Sequence, residues 1–201
     1  AIETPIFVSE RVDEMRVNEY THTYDSDWAS VTSAFWKKYW VPQLSHSRTY
    51  VLSRSIDEEG RLITKRLHVI YQRLPHFITA LFGNITVYGG EETIVDPKNR
   101  TLTVRSKNLS FTKQAAALDV SVYKEDPENA SKTSFFKQTT TFAKTAVIGS
   151  SQIERWYAYN EGHHHTKTVH VINEILSGKL QPDYSVPEKS CDPKSTKKKA
   201  M

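Results

Sequence analysis

Cysteine, methionine and glycine are scarce: one, two and seven of 201 residues. The single thiol, Cys191, has no second cysteine for an internal disulfide, and one thiol excludes a zinc-finger or Cys-x-x-Cys reading. The few glycines form neither a phosphate-cradling loop nor a Gly-x-Ser-x-Gly elbow. No run of about 18 apolar residues occurs, so no segment reads as a membrane-crossing helix. Glu3 and Pro5 interrupt the apolar residues at the start, where no signal-peptide pattern is read. The acidic residues are scattered and no catalytic constellation is visible; a triad assembled across the fold is the one enzymatic arrangement left open.

What the chain does have is a core. Hydrophobic residues make up 38% and aromatic residues 11%, which argues against wholesale disorder. The length fits one domain with tails, enough to bury about 70% of the unfolded surface. The residues divide into a lead-in over 1–17, a domain over 18–177 and a basic tail over 178–201, read as a disordered, solvated end. A net charge of +4 favours anionic partners weakly and gives no case for nucleic acid. The sequons at Asn84, Asn99, Asn108 and Asn129 read as strand and turn residues.

A helix opens near Trp28. Ser26 or Asp27 is placed to cap it. Trp28, Val31, Phe35 and Tyr39 recur at helical spacing, and the closing lysines suit the negative end of the dipole. Strands follow. Residues 49–56 and 62–72 flank a turn at Asp57–Gly60, 85–95 and 101–112 flank Asp96–Asn99, and 115–123 and 132–143 flank Glu125–Asn129. With a short strand before Asp25 they make about seven, at hairpin spacing and without crossover helices, hence antiparallel. A long helix over about 147–176 ends at Gly178. The expected fold is α+β: a curved antiparallel sheet closed by a long C-terminal helix, a cup in which a cavity has room to form.

Taken at 100° per residue, Ile153, Trp156, Tyr157, Asn160, His164, Lys167, Val171 and Ile175 share one face of that helix. The polar middle of the stripe means either an exposed middle or a polar guest inside, since an unpaired buried polar group costs about 1–3 kcal/mol. Three consecutive imidazoles, His163, His164 and His165, point about 100° apart and do not close one tetrahedral metal site; no metal is expected. Leu74–Gly83 is apolar and helix-like, either an ordinary connection or a lid whose Leu74, Phe77, Ile78, Leu81 and Phe82 touch a bilayer. Strand parity separates Ile63, Lys65, Leu67 and Val69, the drier face, from Thr64, Arg66 and His68, which resemble a wet cavity wall. Arg66 is then the favoured phosphate ligand because it grips bidentately, and Arg66→Glu is expected to abolish binding without disturbing the fold.

The order of these pieces resembles the PRELI-domain family, which includes the slowmo proteins. The resemblance rests on His22-x-Tyr24, Asp27-Trp28-x-x-Val31-Thr32-x-Ala34-Phe35-Trp36-Lys37-Lys38-Tyr39, Asp57-x-x-Gly60-x-Leu62-x-Thr64-Lys65-Arg66-Leu67, Leu74-Pro75, Glu92-x-Ile94-Val95-Asp96-Pro97 and Asn108-Leu109-Ser110-Phe111-Thr112. It covers roughly residues 18–177, and the last segment leans toward the slowmo branch. The resemblance implies a START-like cup that carries one phospholipid, phosphatidylserine or phosphatidic acid, between mitochondrial membranes. It implies no enzymatic step and no cofactor. It also implies peripheral membrane contact, residence in the intermembrane space, and a small disulfide-bonded helical-hairpin partner with twin cysteine motifs. By resemblance Lys38, His46, Arg66 and Asn160 match positions near the phosphate, and residues 74–82 the flexible loop over the pocket. Trp156 and His163 stand where the family often has basic residues; His163, His164 and His165 are the candidates to replace part of that charge, and His163, His164 and Lys167 complete the expected headgroup set. Tyr39-Trp-Val-Pro42 departs from the usual Tyr-Pro-Asn-Pro. The rival from another class is a membrane-associated scaffold that encloses no lipid.

Overall fold

The computed structural model describes residues 14–41, 47–70, 86–113, 115–143, 150–184 and 189–190, with His76, Thr79 and Ala80 between them. Strand β1 (Glu14–Tyr24) leads into α1 (Trp28–Lys37), continued by a 3-10 turn at Lys38–Trp40. Then come β2 (Ser47–Ile56), β3 (Leu62–Ile70), β4 (Val87–Asp96), β5 (Thr101–Asn108), β6 (Ala115–Glu125) and β7 (Thr133–Ala143). The long helix α2 (Ser150–Leu176) and a two-residue strand β8 (Lys189–Ser190) follow.

Local chemistry explains the punctuation. Asp27 is the cap of α1, its carboxylate accepting from the Ser30 N–H at 3.0 Å, which satisfies a helix-start donor. Gly60 takes φ +79 in the β2–β3 turn, a left-handed conformation that costs glycine nothing. In the β4–β5 turn the Asp96 carboxylate accepts from the N–H groups of Lys98 and Asn99, while Arg100 takes the positive φ of 46. After α2, Gly178 at φ +73 donates to the Ile175 carbonyl and Leu180 to that of Glu174, closing the helix end as expected.

The sheet runs β1-β7-β6-β5-β4-β3-β2-β8. The seven long strands pair antiparallel, and β8 adds a short parallel pairing against Tyr50 and Val51 of β2. One face of the sheet carries both helices. There Tyr24, Leu102, Val104, Tyr123 and Phe135 meet Val31, Ala34 and Phe35 of α1 and Val171, Ile172 and Ile175 of α2. The rings interlock edge to face, Phe35 against Tyr123 at 5.6 Å and Tyr24 against Phe135 at 6.3 Å, a geometry that aligns ring edges with ring faces.

The observed elements depart from the expected boundaries at both ends. Met15 and Val17, in the expected lead-in, belong to β1. Beyond Gly178, Leu180 packs on the core and Asp183 donates to the Trp40 carbonyl at 2.8 Å. Polar composition hid that return, because one aromatic contact, Trp40 on Tyr184 at 5.8 Å, accompanies it.

Candidate functional site

Where the end of α1 lies over β3 and β4, the interior becomes charged. Strand alternation turns Thr64 and Arg66 inward, Arg66 with only 2% exposure, and leaves Lys65 outside. The face read as drier is therefore the outer one. The β3–β4 register sets Arg66 directly opposite Glu91. Glu91 Oε1 accepts from Arg66 Nη1 at 3.2 Å, from the Tyr39 hydroxyl at 2.7 Å and from Thr93 Oγ1 at 3.2 Å. Its other oxygen lies 3.2 Å from His68 Nε2. Thr49 Oγ1 is 3.0 Å from His68 Nδ1, so the ring bridges Thr49 and Glu91 through its two nitrogens. Burial alone would raise the Glu91 carboxyl; the His68 hydrogen bond and the charges of His68, Lys38 and Arg66 outweigh it and hold it well below the usual carboxylate range.

Arg66 thus differs from expectation. It is the buried partner of a carboxylate, also donating to Thr93 at 3.0 Å, with its guanidinium carbon 4.2 Å from the Trp36 ring centroid. Arg66→Glu would bury two carboxylates together, so the expected intact fold does not follow from this environment. The sequence concealed this because the partner, Glu91, lies across a β3–β4 connection whose length sets no register. A signal existed in the Glu91-x-Thr93 alternation, which places a carboxylate and a hydroxyl on one strand face.

Lys38, from the 3-10 turn, has the opposite character. Its ammonium lies 3.8 Å from the Phe35 ring centroid and 4.9 Å from that of Tyr39, within cation–π range. The residue as a whole is half-buried, yet its amine is desolvated. Burial, aided by Arg66 and Lys137 and opposed by Glu91, pushes its pKa down to about 8. Among the described residues the ammonium has no hydrogen-bond or ion-pair partner. Tyr39 links the two cations, since Arg66 also lies 4.7 Å from its ring.

A second polar group lies where α2 crosses β1 and β7. His165 is stacked between Tyr20 at 4.5 Å and Phe135 at 5.6 Å, and His22 meets Tyr24 edge to face at 4.6 Å. Burial lowers the pKa of both imidazoles, with Lys137 and His22 adding to the effect at His165 and Asp25 opposing it at His22. Lys137 itself sits 3.8 Å from Asp119. The predicted α2 stripe is therefore rotated in its middle: His164 is exposed, and His165, assigned no separate role, is the packed imidazole. Lys167 is half-buried.

The structure brings Lys38 and Arg66 together. It places Asn160 and His163 on α2, but their side chains lie outside the described residues. His46 and the lid residues Leu74, Phe77, Ile78, Leu81 and Phe82 also lie outside them. Tyr39, His68, Glu91 and Thr93 are the members that sequence reasoning missed. The described residues contain no group of three or more His, Cys, Asp or Glu able to hold a metal.

Seven antiparallel strands in this order, with a short helix after the first and a long helix after the last, define a START-like α+β protein. The crystal structure of Ara h 8.0201 shares the fold with a TM-score of 0.54 at 8% identity, over 82% of this chain and 99% of that one. The crystal structure of TTHA0849 from Thermus thermophilus does so with a TM-score of 0.51 at 12% identity, over the same shares. At such identity the likeness concerns fold alone. The PRELI-like family model matches residues 29–182, and the chain belongs to that family. PRELI domain-containing protein 1, mitochondrial, of Gallus gallus is 34% identical over 129 residues, 62% of this chain and 59% of the relative. The slowmo homolog of Dictyostelium discoideum is 31% identical over 121 residues, 59% of this chain and 53% of the relative. The ups1 homolog of Schizosaccharomyces pombe is 34% identical over 110 residues, 54% of this chain and 64% of the relative. The chain thus matches between about half and two thirds of the length of these relatives.

Proposed function

We propose that this protein carries one anionic phospholipid, phosphatidylserine or phosphatidic acid, between mitochondrial membranes, and that it makes and breaks no covalent bond in doing so. The family match supports the class, and the names of the chicken and bovine relatives include the word mitochondrial. The observation that carries the reading is Lys38. A desolvated ammonium with no ionic or hydrogen-bonding partner among the described residues is costly to keep, and a lipid phosphate would supply what it lacks. The START-like layout provides helices on one sheet face, against which acyl chains would lie.

In this reading Lys38 is the principal phosphate ligand. Asn160, His163 and Lys167 approach from α2, and His46 from the segment before β2. Arg66 acts through Glu91, holding Tyr39 and His68 in place. Leu74, Phe77, Ile78, Leu81 and Phe82 form a lid that touches the bilayer when cargo is exchanged. The intermembrane space is the compartment, and a small disulfide-bonded helical hairpin with twin cysteine motifs is the protein partner.

Mass spectrometry of the purified protein under native conditions tests the reading. One co-purifying anionic phospholipid, exchangeable with labelled vesicles, is the expected result. A bare protein mass after lipid-rich expression would instead support a scaffold bound to the membrane surface. Lyso-lipid or free headgroup released from liposomes would indicate a hydrolase.

A further inference from the structure

The interior cluster carries a carboxylate where an anion carrier has reason to avoid one, and that carboxylate is fully engaged. Glu91 takes hydrogen bonds from Arg66, Tyr39 and Thr93 on one oxygen and faces His68 on the other. A bound phosphate therefore finds the Tyr39 hydroxyl and Arg66 Nη1 already directed at Glu91 and Thr93. It meets Lys38, whose ammonium stands over the same Tyr39 ring. Lys38 and Arg66 together with Glu91 leave one net positive charge.

Resting on the carrier reading above, we infer that Glu91 is a specificity-determining counter-ion. It holds the cluster of Lys38, Arg66 and Glu91 at a single net positive charge and so selects a phosphodiester headgroup, which carries one negative charge on its phosphate, over a phosphomonoester. A phosphomonoester carries about −1.5 to −2 near neutral pH. Its second charge would face the Glu91 carboxylate across a desolvated space, where like charges are poorly screened. Without Glu91 the cluster would carry two positive charges and match the monoester instead. Glu91 is thus a positioning and selecting residue: it orders Tyr39 and His68 and never bonds the phosphate itself.

The test uses two probes of identical acyl chains, phosphatidic acid and its methyl ester phosphatidylmethanol, which differ by one methyl group and one ionisable oxygen. The full chain at about pH 7.4 is offered vesicles with equal amounts of both, and the transferred ratio is measured. Wild type is expected to favour the methyl ester by about tenfold. Glu91→Gln should reverse the ratio or bring it to parity. The paired variant Arg66→Gln with Glu91→Gln restores a single positive charge without leaving a buried partner unpaired. It should transfer more slowly with a ratio within about twofold of wild type. Because Glu91→Gln leaves Arg66 without its counter-charge and so risks misfolding, the wild-type and paired-variant ratios decide the matter by themselves. Equal transfer of both lipids by wild type, or a paired variant that prefers the monoester, would overturn the selective role and leave the carrier intact. Neither probe moving or binding would remove the carrier reading, and this inference with it.

Discussion

Two regions of the interior hold basic side chains, by opposite means. Beneath α1, the charge of Arg66 is balanced by Glu91, which faces it across the strand pair. Along α2, burial disfavours a proton on His165 and His22, with the fields of Lys137 and His22 adding to the effect at His165 and Asp25 opposing it at His22. Pairing balances charge at one end, and desolvation disfavours it at the other. Lys38 belongs to neither regime, since it is desolvated but still cationic at neutral pH. The contrast teaches that a count of basic residues facing inward says little about where an anion binds. In the proposed carrier, the cation left unpaired among the described residues would mark the place, and the paired one would set its field.

The harshest way to break the contrast is Arg66→Glu. It places two carboxylates together in the interior and is expected to cost about 3–5 kcal/mol, read as a large drop in the denaturant midpoint. An unchanged midpoint would mean that Arg66 is not held as described. Lys38→Met separates the two roles of positive charge next. It removes a desolvated ammonium, so stability is expected to hold or rise. Affinity for anionic lipid should fall about 10–100-fold, the equivalent of one charged hydrogen bond of about 1.5–3 kcal/mol; vesicle-binding titrations measure it, and full affinity would take Lys38 out of the site. Asp27→Ala acts on the start of the helix that delivers Lys38 and should cost about 1 kcal/mol through loss of the cap, visible in urea melts. It should leave the lipid ratio untouched.

The smallest effect sharpens the α2 side. His22 and His165 have lowered pKa values when folded, while in the unfolded chain histidine titrates near pH 6.5. Below that pH the unfolded state binds the extra protons, so these residues make stability fall as pH drops through it, and contribute no slope well above it. Asp25 moderates the effect at His22, and Lys137 strengthens it at His165. Melting temperatures followed from about pH 7.5 to 5.5 should decline. His165→Phe, which keeps the stack between Tyr20 and Phe135, should flatten the decline. An equal slope in that variant would assign the pH dependence elsewhere.

The sequence made the frame readable. Period-two runs between Asp, Pro, Asn and Gly turns gave the strands, and the Trp28, Val31, Phe35 spacing with its Asp27 cap gave α1, because these signals are local. Lys38 and Arg66 were found as candidates, but not their relation. Glu91 neutralises one of them, and it approaches through a strand register that no local pattern specifies. Likewise helical angle alone put His164 inside. The crossing of α2 over β1 and β7 instead presents His165 to Tyr20 and Phe135, and a tilt of that kind has no signature in the spacing of residues.

Strand β1 pairs along its whole length with β7, Glu14 beside Ala143 and Tyr24 beside Thr133. Among the described strands the first is thus completed by the last of the seven long ones. A chain threading out amino end first keeps β1 and the aromatic side of α1 uncovered until β7 arrives, and closing so long a loop is intrinsically slow. During that interval sticky surface is on offer to any neighbour. A holdase that shields the amino-terminal segment would therefore raise the yield of native protein more than one acting on the later hairpins.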